Sequence, residues 1–174
     1  MKQHGDAPPV PSTLVKSLVD DDRLTAMGLL VETYAGVVDV FERELESLGV
    51  SASSFEAMIR LARSAGHRLR MTELAAQSTL TNSGLTRLVD RLERAGFVNR
   101  EACDTDRRGY FAILTPAGLA KIEGVIPAHV ATIERILTSV LDPKELCVFL
   151  GALRKIRVVV KPSSDPEVAA VTAG

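Results

Sequence analysis

Apolar residues recur at Leu24, Met27, Val31, Tyr34, Val38, Phe41, Leu45 and Leu48. The steps alternate between three and four, so one face of a helix is apolar along its whole length. Acidic residues at Asp20, Asp21 and Asp22 suit its N-terminus, and Gly49 suits its C-terminal stop. The spacing predicts about 25 residues, some 37 Å at ~1.5 Å per residue. So long a stripe exceeds the core of a small lobe. It needs a partner helix, either from the far end of the same chain or from a second copy.

The pattern then shortens. Ser51 is placed to cap a helix with Phe55, Met58, Leu61 and Ala62 inward, ending near Gly66. Thr72 is placed to cap a short helix from Glu73 to about Gln77, with Leu74 and Ala75 inward. Thr81 is placed to cap the next, whose Leu85, Leu88, Val89 and Leu92 share a face and which Gly96 ends. Two helices joined by so brief a turn make a helix-turn-helix. Phe97 to Cys103 and Tyr110 to Leu114 follow an extended period about the polar loop 104–109, which predicts a β-hairpin, hence a wing. Thr115-Pro116 opens a helix to about Ser139, with Ile122, Ile126, Val130, Ile133 and Leu137 inward and Pro127 expected to kink it. Asp142-Pro143 opens the last, carrying Leu146, Phe149, Leu150, Leu153 and Ile156 and ending near Val160. The fold expected is mainly α with a small β-hairpin. Its divisions are a flexible tail over 1–17, a first long helix over 18–48, a winged helix-turn-helix lobe over 50–115, C-terminal helices over 116–160 and a flexible tail over 161–174.

Composition narrows the class. Of 174 residues 46% are apolar, 25% charged and 4% aromatic, with no Trp, which favours helices packed through aliphatic side chains. No unbroken apolar run nears the ~20 residues of a membrane span, and the N-terminus lacks a signal-peptide core, so a cytoplasmic protein without membrane contact is expected. Cys103 and Cys147 lie far apart without Cys or His at ligand spacing, so no metal, disulfide or other cofactor is expected. Gly-rich phosphate loops and the H-E-x-x-H and G-x-S-x-G motifs are absent, and His4, His67 and His129 are scattered, which argues against an enzyme. His129, beside an apolar stripe, reads as a packed, hydrogen-bonded side chain, and Cys103 as an inert thiol.

Charge points elsewhere. The chain carries a net −1, yet Arg60 to Tyr110 holds ten Arg against six acids, a net +4 that leaves −5 for the remainder. A basic centre within acidic scaffolding is the footprint of a DNA-reading lobe. The helix opening at Thr81, Asn82, Ser83, Gly84, Leu85, Thr86 and Arg87 sets short hydrogen-bonding side chains and one Arg away from its apolar face. Helices in the major groove read bases through such N-terminal residues. Candidates are Thr81, also a plain cap, with Asn82, Ser83, Thr86 and Arg87. On the wing, Arg107 and Arg108 are candidates, and Arg108 is the one expected to enter a narrow minor groove. Asp104 and Asp106 suit the turn and can hold an Arg in its working rotamer.

The stretches Glu73 to Ala75, Ser83 to Glu93 and Gly96 to Val98, with the wing Asp104 to Gly109 running into Leu114-Thr115-Pro116-Ala117-Gly118, resemble the MarR family of transcriptional regulators. With the helix order, the likeness covers about residues 20–160. It implies a triangular homodimer in which the first, fifth and sixth helices interlock, making 18–48 and 116–160 dimerisation helices. Two winged lobes would grip a pseudo-palindromic, inverted-repeat operator on double-stranded DNA, with half-sites ~34 Å apart. It further implies repression and release by a small aromatic or phenolic effector bound between the dimer helices and the lobe. No Cys lies near the start of the first helix, where redox-sensing relatives carry one, and the Trp of the urate-responsive branch is absent. Gly84 stands where Thr or Ala is expected. The competing expectation is a winged-helix module that senses a ligand or binds protein without an operator; the paired wing arginines speak against it.

Overall fold

We describe the fold from a computed structural model. The described residues are 19–78, 80–103 and 106–161, with the backbone alone at 106–108. The expected tails lie outside them, Lys161 apart.

Helix α1 spans Asp22–Ser47. At its start Asp21 Oδ1 accepts the Arg23 backbone N–H at 2.8 Å, and the Arg23 guanidinium beside it holds the Asp21 carboxyl below the usual carboxylate range. Gly49, at φ +70°, reverses the chain beyond the other end, a conformation glycine adopts without a Cβ penalty. Ser51 Oγ accepts from Ser54 N–H at 3.3 Å and caps α2, Ala52–Arg63. A 3₁₀ turn (Ala65–His67) leads into β1, Arg68–Arg70, then α3, Met71–Gln77, and α4, Asn82–Arg94. Strands β2, Val98–Cys103, and β3, Asp106–Leu114, precede α5, Pro116–Ile133, and α6, Pro143–Val160.

The expected fold class holds, with changes of detail. The hairpin is part of a three-stranded antiparallel sheet in the order β1-β3-β2. Strand β1 has only three residues, and it pairs Leu69 with Ala112 and Arg70 with Phe111. The Arg68 guanidinium lies 3.9 Å from the Phe111 ring centre, so a charged strand is held by stacking as well as by its ladder. Helix α3 begins earlier than Thr72 suggested: Arg70 is its N-cap, and the Arg70 N–H donates to Glu73 Oε2 at 2.9 Å. The loop expected at 104–109 is shorter, since β3 already starts at Asp106 opposite Cys103.

Packing of the C-terminal helices departs further from the stripe. Ile122 is buried as expected, but Val125 replaces Val130, which is 54% exposed. Pro127 lies within α5, and the break from α geometry comes later, as a π turn over Glu134–Thr138 in which Ser139 N–H donates to Glu134 O. No residue of α6 is buried; Phe149, Leu150 and Ile156, expected inward, are exposed. His129 does pack as expected: Nδ1 lies 2.9 Å from Glu44 Oε2, and its ring sits 4.6 Å from Phe41 and 4.8 Å from Phe55.

Contacts divide the chain at Val40/Phe41, and α1 runs through the boundary. On the first part of α1, Leu24, Met27, Val31 and Tyr34 are all exposed. By length and composition α1 could cross a membrane, with a mean hydropathy of 1.4 over eighteen residues, none buried. The expectation that no segment qualifies rested on unbroken apolar runs and is amended accordingly. In the second unit one core joins α1's end to the lobe: Leu45, Met58, Leu61, Leu74, Val89 and Ile122 are each at most 2% exposed. Lys121 Nζ donates to Leu48 O at 3.0 Å, placing a cation on the last carbonyls of α1. Lys121→Met should lower stability by about 1 kcal/mol, read as a melting temperature roughly 2–4 °C lower.

Candidate nucleic-acid interface

Helix α4 divides into two faces. Leu85, Leu88, Val89 and Leu92 are buried, so the helix is anchored along its length by aliphatic packing. Asn82, Ser83, Thr86 and Arg87 are exposed on the other side. Thr81 does what its type at a helix start predicts: its Oγ1 accepts from Gly84 N–H at 3.2 Å and lies 3.3 Å from Ser83 Oγ. Thr86 Oγ1 donates to Asn82 O at 2.9 Å, which leaves the hydroxyl's lone pairs as acceptors. Arg87 has no hydrogen-bonding or ionic partner among the described residues. The first two turns of α4 therefore bring together five of the seven candidates, four of them not needed for capping.

The other two candidates, Arg107 and Arg108, lie on the backbone of β3, and their side chains are outside the described residues. The ladder pairs Ala102 with Tyr110 but Cys103 with Asp106, so Arg107, Arg108 and Gly109 are extra residues on β3. Such a bulge re-aims the backbone that carries both arginines. Cys103 is buried, in keeping with an inert thiol, whereas Cys147 is exposed. Among the described residues no group of His, Cys, Asp or Glu is arranged to hold a metal ion.

Sequence reasoning passed over two features. Arg100, on β2, pairs with Asp90 of α4 at 2.5 Å and donates to the Thr86 carbonyl at 3.2 Å. Between α4, the start of α3 and the sheet lies a hollow of about 520 Å³, lined by Arg70, Met71, Thr72, Thr86, Arg100, Gly109 and Tyr110. Neither is legible from spacing, because the residues lie up to forty positions apart and only the sheet assembles them.

Known proteins share this arrangement. The sequence profile of the MarR family matches residues 50–110, from the end of α1 to the middle of β3. The HTH-type transcriptional repressor YetL of Bacillus subtilis is 33% identical over 106 residues, 61% of this chain and 64% of that protein, so the chain spans just under two thirds of its length. AbsC, a MarR family transcriptional regulator from Streptomyces coelicolor, is 32% identical with a TM-score of 0.76, and the likeness covers 82% of this chain and 96% of AbsC. The chain belongs to the MarR family. A second MarR family regulator, Sco3205 of Streptomyces coelicolor, was solved in complex with DNA; it is 29% identical with a TM-score of 0.76, over 92% of this chain and 96% of that one. The protein is thus a MarR-family transcriptional regulator and not an enzyme, its fold a winged helix.

Proposed function

We propose that this MarR-family regulator binds a pseudo-palindromic operator as a homodimer and represses the genes behind it. The observation that carries the reading is the division of α4, with an apolar face wholly buried and polar first turns exposed. Asn82 and Arg87 can make bidentate bonds to adenine or guanine, and Thr86, whose proton is committed to its own helix, is left to accept from a base amino group. Thr81 and Ser83 sit where they can meet phosphate or a base edge. Arg107 and Arg108 reach the flanking minor groove, Arg108 as the insert.

The dimer reading is supported by exposed apolar residues on two helices, Met27, Val31 and Tyr34 on α1 and Phe149, Leu150 and Val159 on α6. Exposed apolar stripes of this length on each helix mark an interface. The segments 18–48 and 116–160 then serve dimerisation, 50–115 serves DNA, and the protein works in the cytoplasm where its operator is. Repression is inferred from the likeness to YetL, a transcriptional repressor, and DNA binding from the likeness to Sco3205, solved in complex with DNA.

An effector reading has its own observation. The hollow beside Thr86 and Arg100 combines two guanidinium groups, from Arg70 and Arg100, with the hydroxyls of Thr72 and Tyr110 and the apolar Met71. That set suits an aromatic acid, whose binding would disturb the reading helix and release the operator. The test is affinity for the DNA upstream of the protein's own gene, measured for wild type, Arg87→Ala and Arg108→Ala, with and without candidate aromatic acids. Each substitution should weaken binding by about 1–3 kcal/mol, and Arg87→Ala should also relax preference at one base pair. Unchanged affinity in both would show that the readers lie elsewhere; failure of wild type to bind while still taking up an acid would favour the module that only senses a ligand.

A further inference from the structure

Among the described residues of the wing strands, Arg100 grips the reading helix at several points. Its backbone N–H donates to Glu93 Oε1 at 3.2 Å. Nη1 pairs with Asp90 Oδ1 at 2.5 Å and lies 3.7 Å from Glu93 Oε2, while Nη2 donates to the Thr86 carbonyl at 3.2 Å. Thr86, Asp90 and Glu93 fall at spacings of four and three, so they line one face of α4 across two turns. A rigid guanidinium fork bonded along that line fixes both the distance and the rotation of β2 relative to α4. Strand β2 in turn pairs with β3, Arg100 opposite Ala112, and β3 carries Arg107 and Arg108.

Magnitudes separate two roles. The Arg100 side chain is 24% exposed and those of Asp90 and Glu93 about 40%, and ion pairs so wetted add little to folding. Their geometry is worth more to a ligand that must touch α4 and the hairpin together, because contacts made from rigidly spaced parts need no further ordering on binding. We propose that Arg100 is a positioning residue for operator recognition: it locks β2 to α4 so that the helix start and the hairpin arginines engage one operator at the same time. The proposal rests on the operator-binding reading and adds to it the element that sets the register between its two contacts.

A double-mutant cycle tests it, using the full-length protein and fluorescence anisotropy on operator DNA. Arg100→Met should weaken binding by about 5- to 150-fold, the range of losing one specific contact, while shifting the melting temperature by less than ~4 °C. Arg108→Ala should weaken binding by a similar factor in the wild-type chain but by less than about twofold in the Arg100→Met background, since a wing released from α4 no longer holds that arginine in place. Arg100→Lys, which keeps the charge against Asp90 and Glu93 but loses the fork, should recover little of the loss. Equal Arg108→Ala losses in both backgrounds overturn the proposal and leave operator binding intact. Full recovery by lysine also overturns it, because mere charge neutralisation would then suffice, as does an Arg108→Ala change without effect in the wild type. If wild type itself binds no upstream DNA, the operator reading falls and this proposal with it.

Discussion

Gly118→Ala should lower the melting temperature by roughly 4–8 °C at fixed protein concentration, although alanine is the better helix former. A Cβ at Gly118 would lie 2.2 Å from the Phe97 carbonyl oxygen and 2.7 Å from Leu114 Cδ1. The carbonyl cannot swing aside, because it accepts Thr115 N–H at 3.0 Å while Thr115 Oγ1 donates to Gly96 O at 2.7 Å and accepts Gly118 N–H at 3.0 Å. Overpacking costs about 1–3 kcal/mol and here acts on backbone, so it outweighs the ~1 kcal/mol gained in helix propensity and leaves a net loss of about 2 kcal/mol. The control is Gly124→Ala in the same helix, where a Cβ meets nothing within 4 Å. That change should raise the melting temperature, and thermal scans of both variants check the pair. The Gly of the family's wing signature thus has a local cause: α5 passes too close to the start of the wing for any side chain.

Val31→Asp should turn the protein from a dimer into a monomer and weaken operator binding by about 10²–10⁴-fold, the loss of avidity when two linked sites become one. Val31 is 57% exposed in the single chain, so the substitution should leave the lobe folded. In the proposed dimer it sets two carboxylates into an apolar seam, where desolvation is unfavourable. Sedimentation should find wild type at twice its 18.7 kDa chain mass and the variant at that mass, with unchanged helical content by circular dichroism. A Val31→Asp protein that remains dimeric would place the interface away from α1.

The sequence shows some parts of this molecule and hides others for physical reasons. Helices α1 and α4 were legible because a stripe repeats over many turns and Gly49 and Gly96, both at positive φ, mark where each stops. Strand β1 was not, since three residues carry no alternation and its partner in β3 follows some forty positions later. The inward face of α5 was misjudged at Val130 because a stripe identifies an apolar face without saying what covers it, and α6 carries the same ambiguity throughout. Asn82, Ser83, Thr86 and Arg87 could be chosen as outward simply by exclusion from the apolar face of α4. Arg100 could not, because its partners Thr86, Asp90 and Glu93 come within reach only when the strand folds back along the helix.

Helical phasing on the operator tests the central claim most directly. With the two half-sites mapped, affinity is measured on the natural duplex and on duplexes with about five or about ten base pairs inserted between them, half a turn and a full turn. Two α4 helices held by one rigid dimer predict tight, strongly salt-dependent binding of two chains per natural duplex. They also predict loss of most of that affinity with the half-turn insertion. Binding by one chain at a time, indifferent to both insertions, would contradict the account.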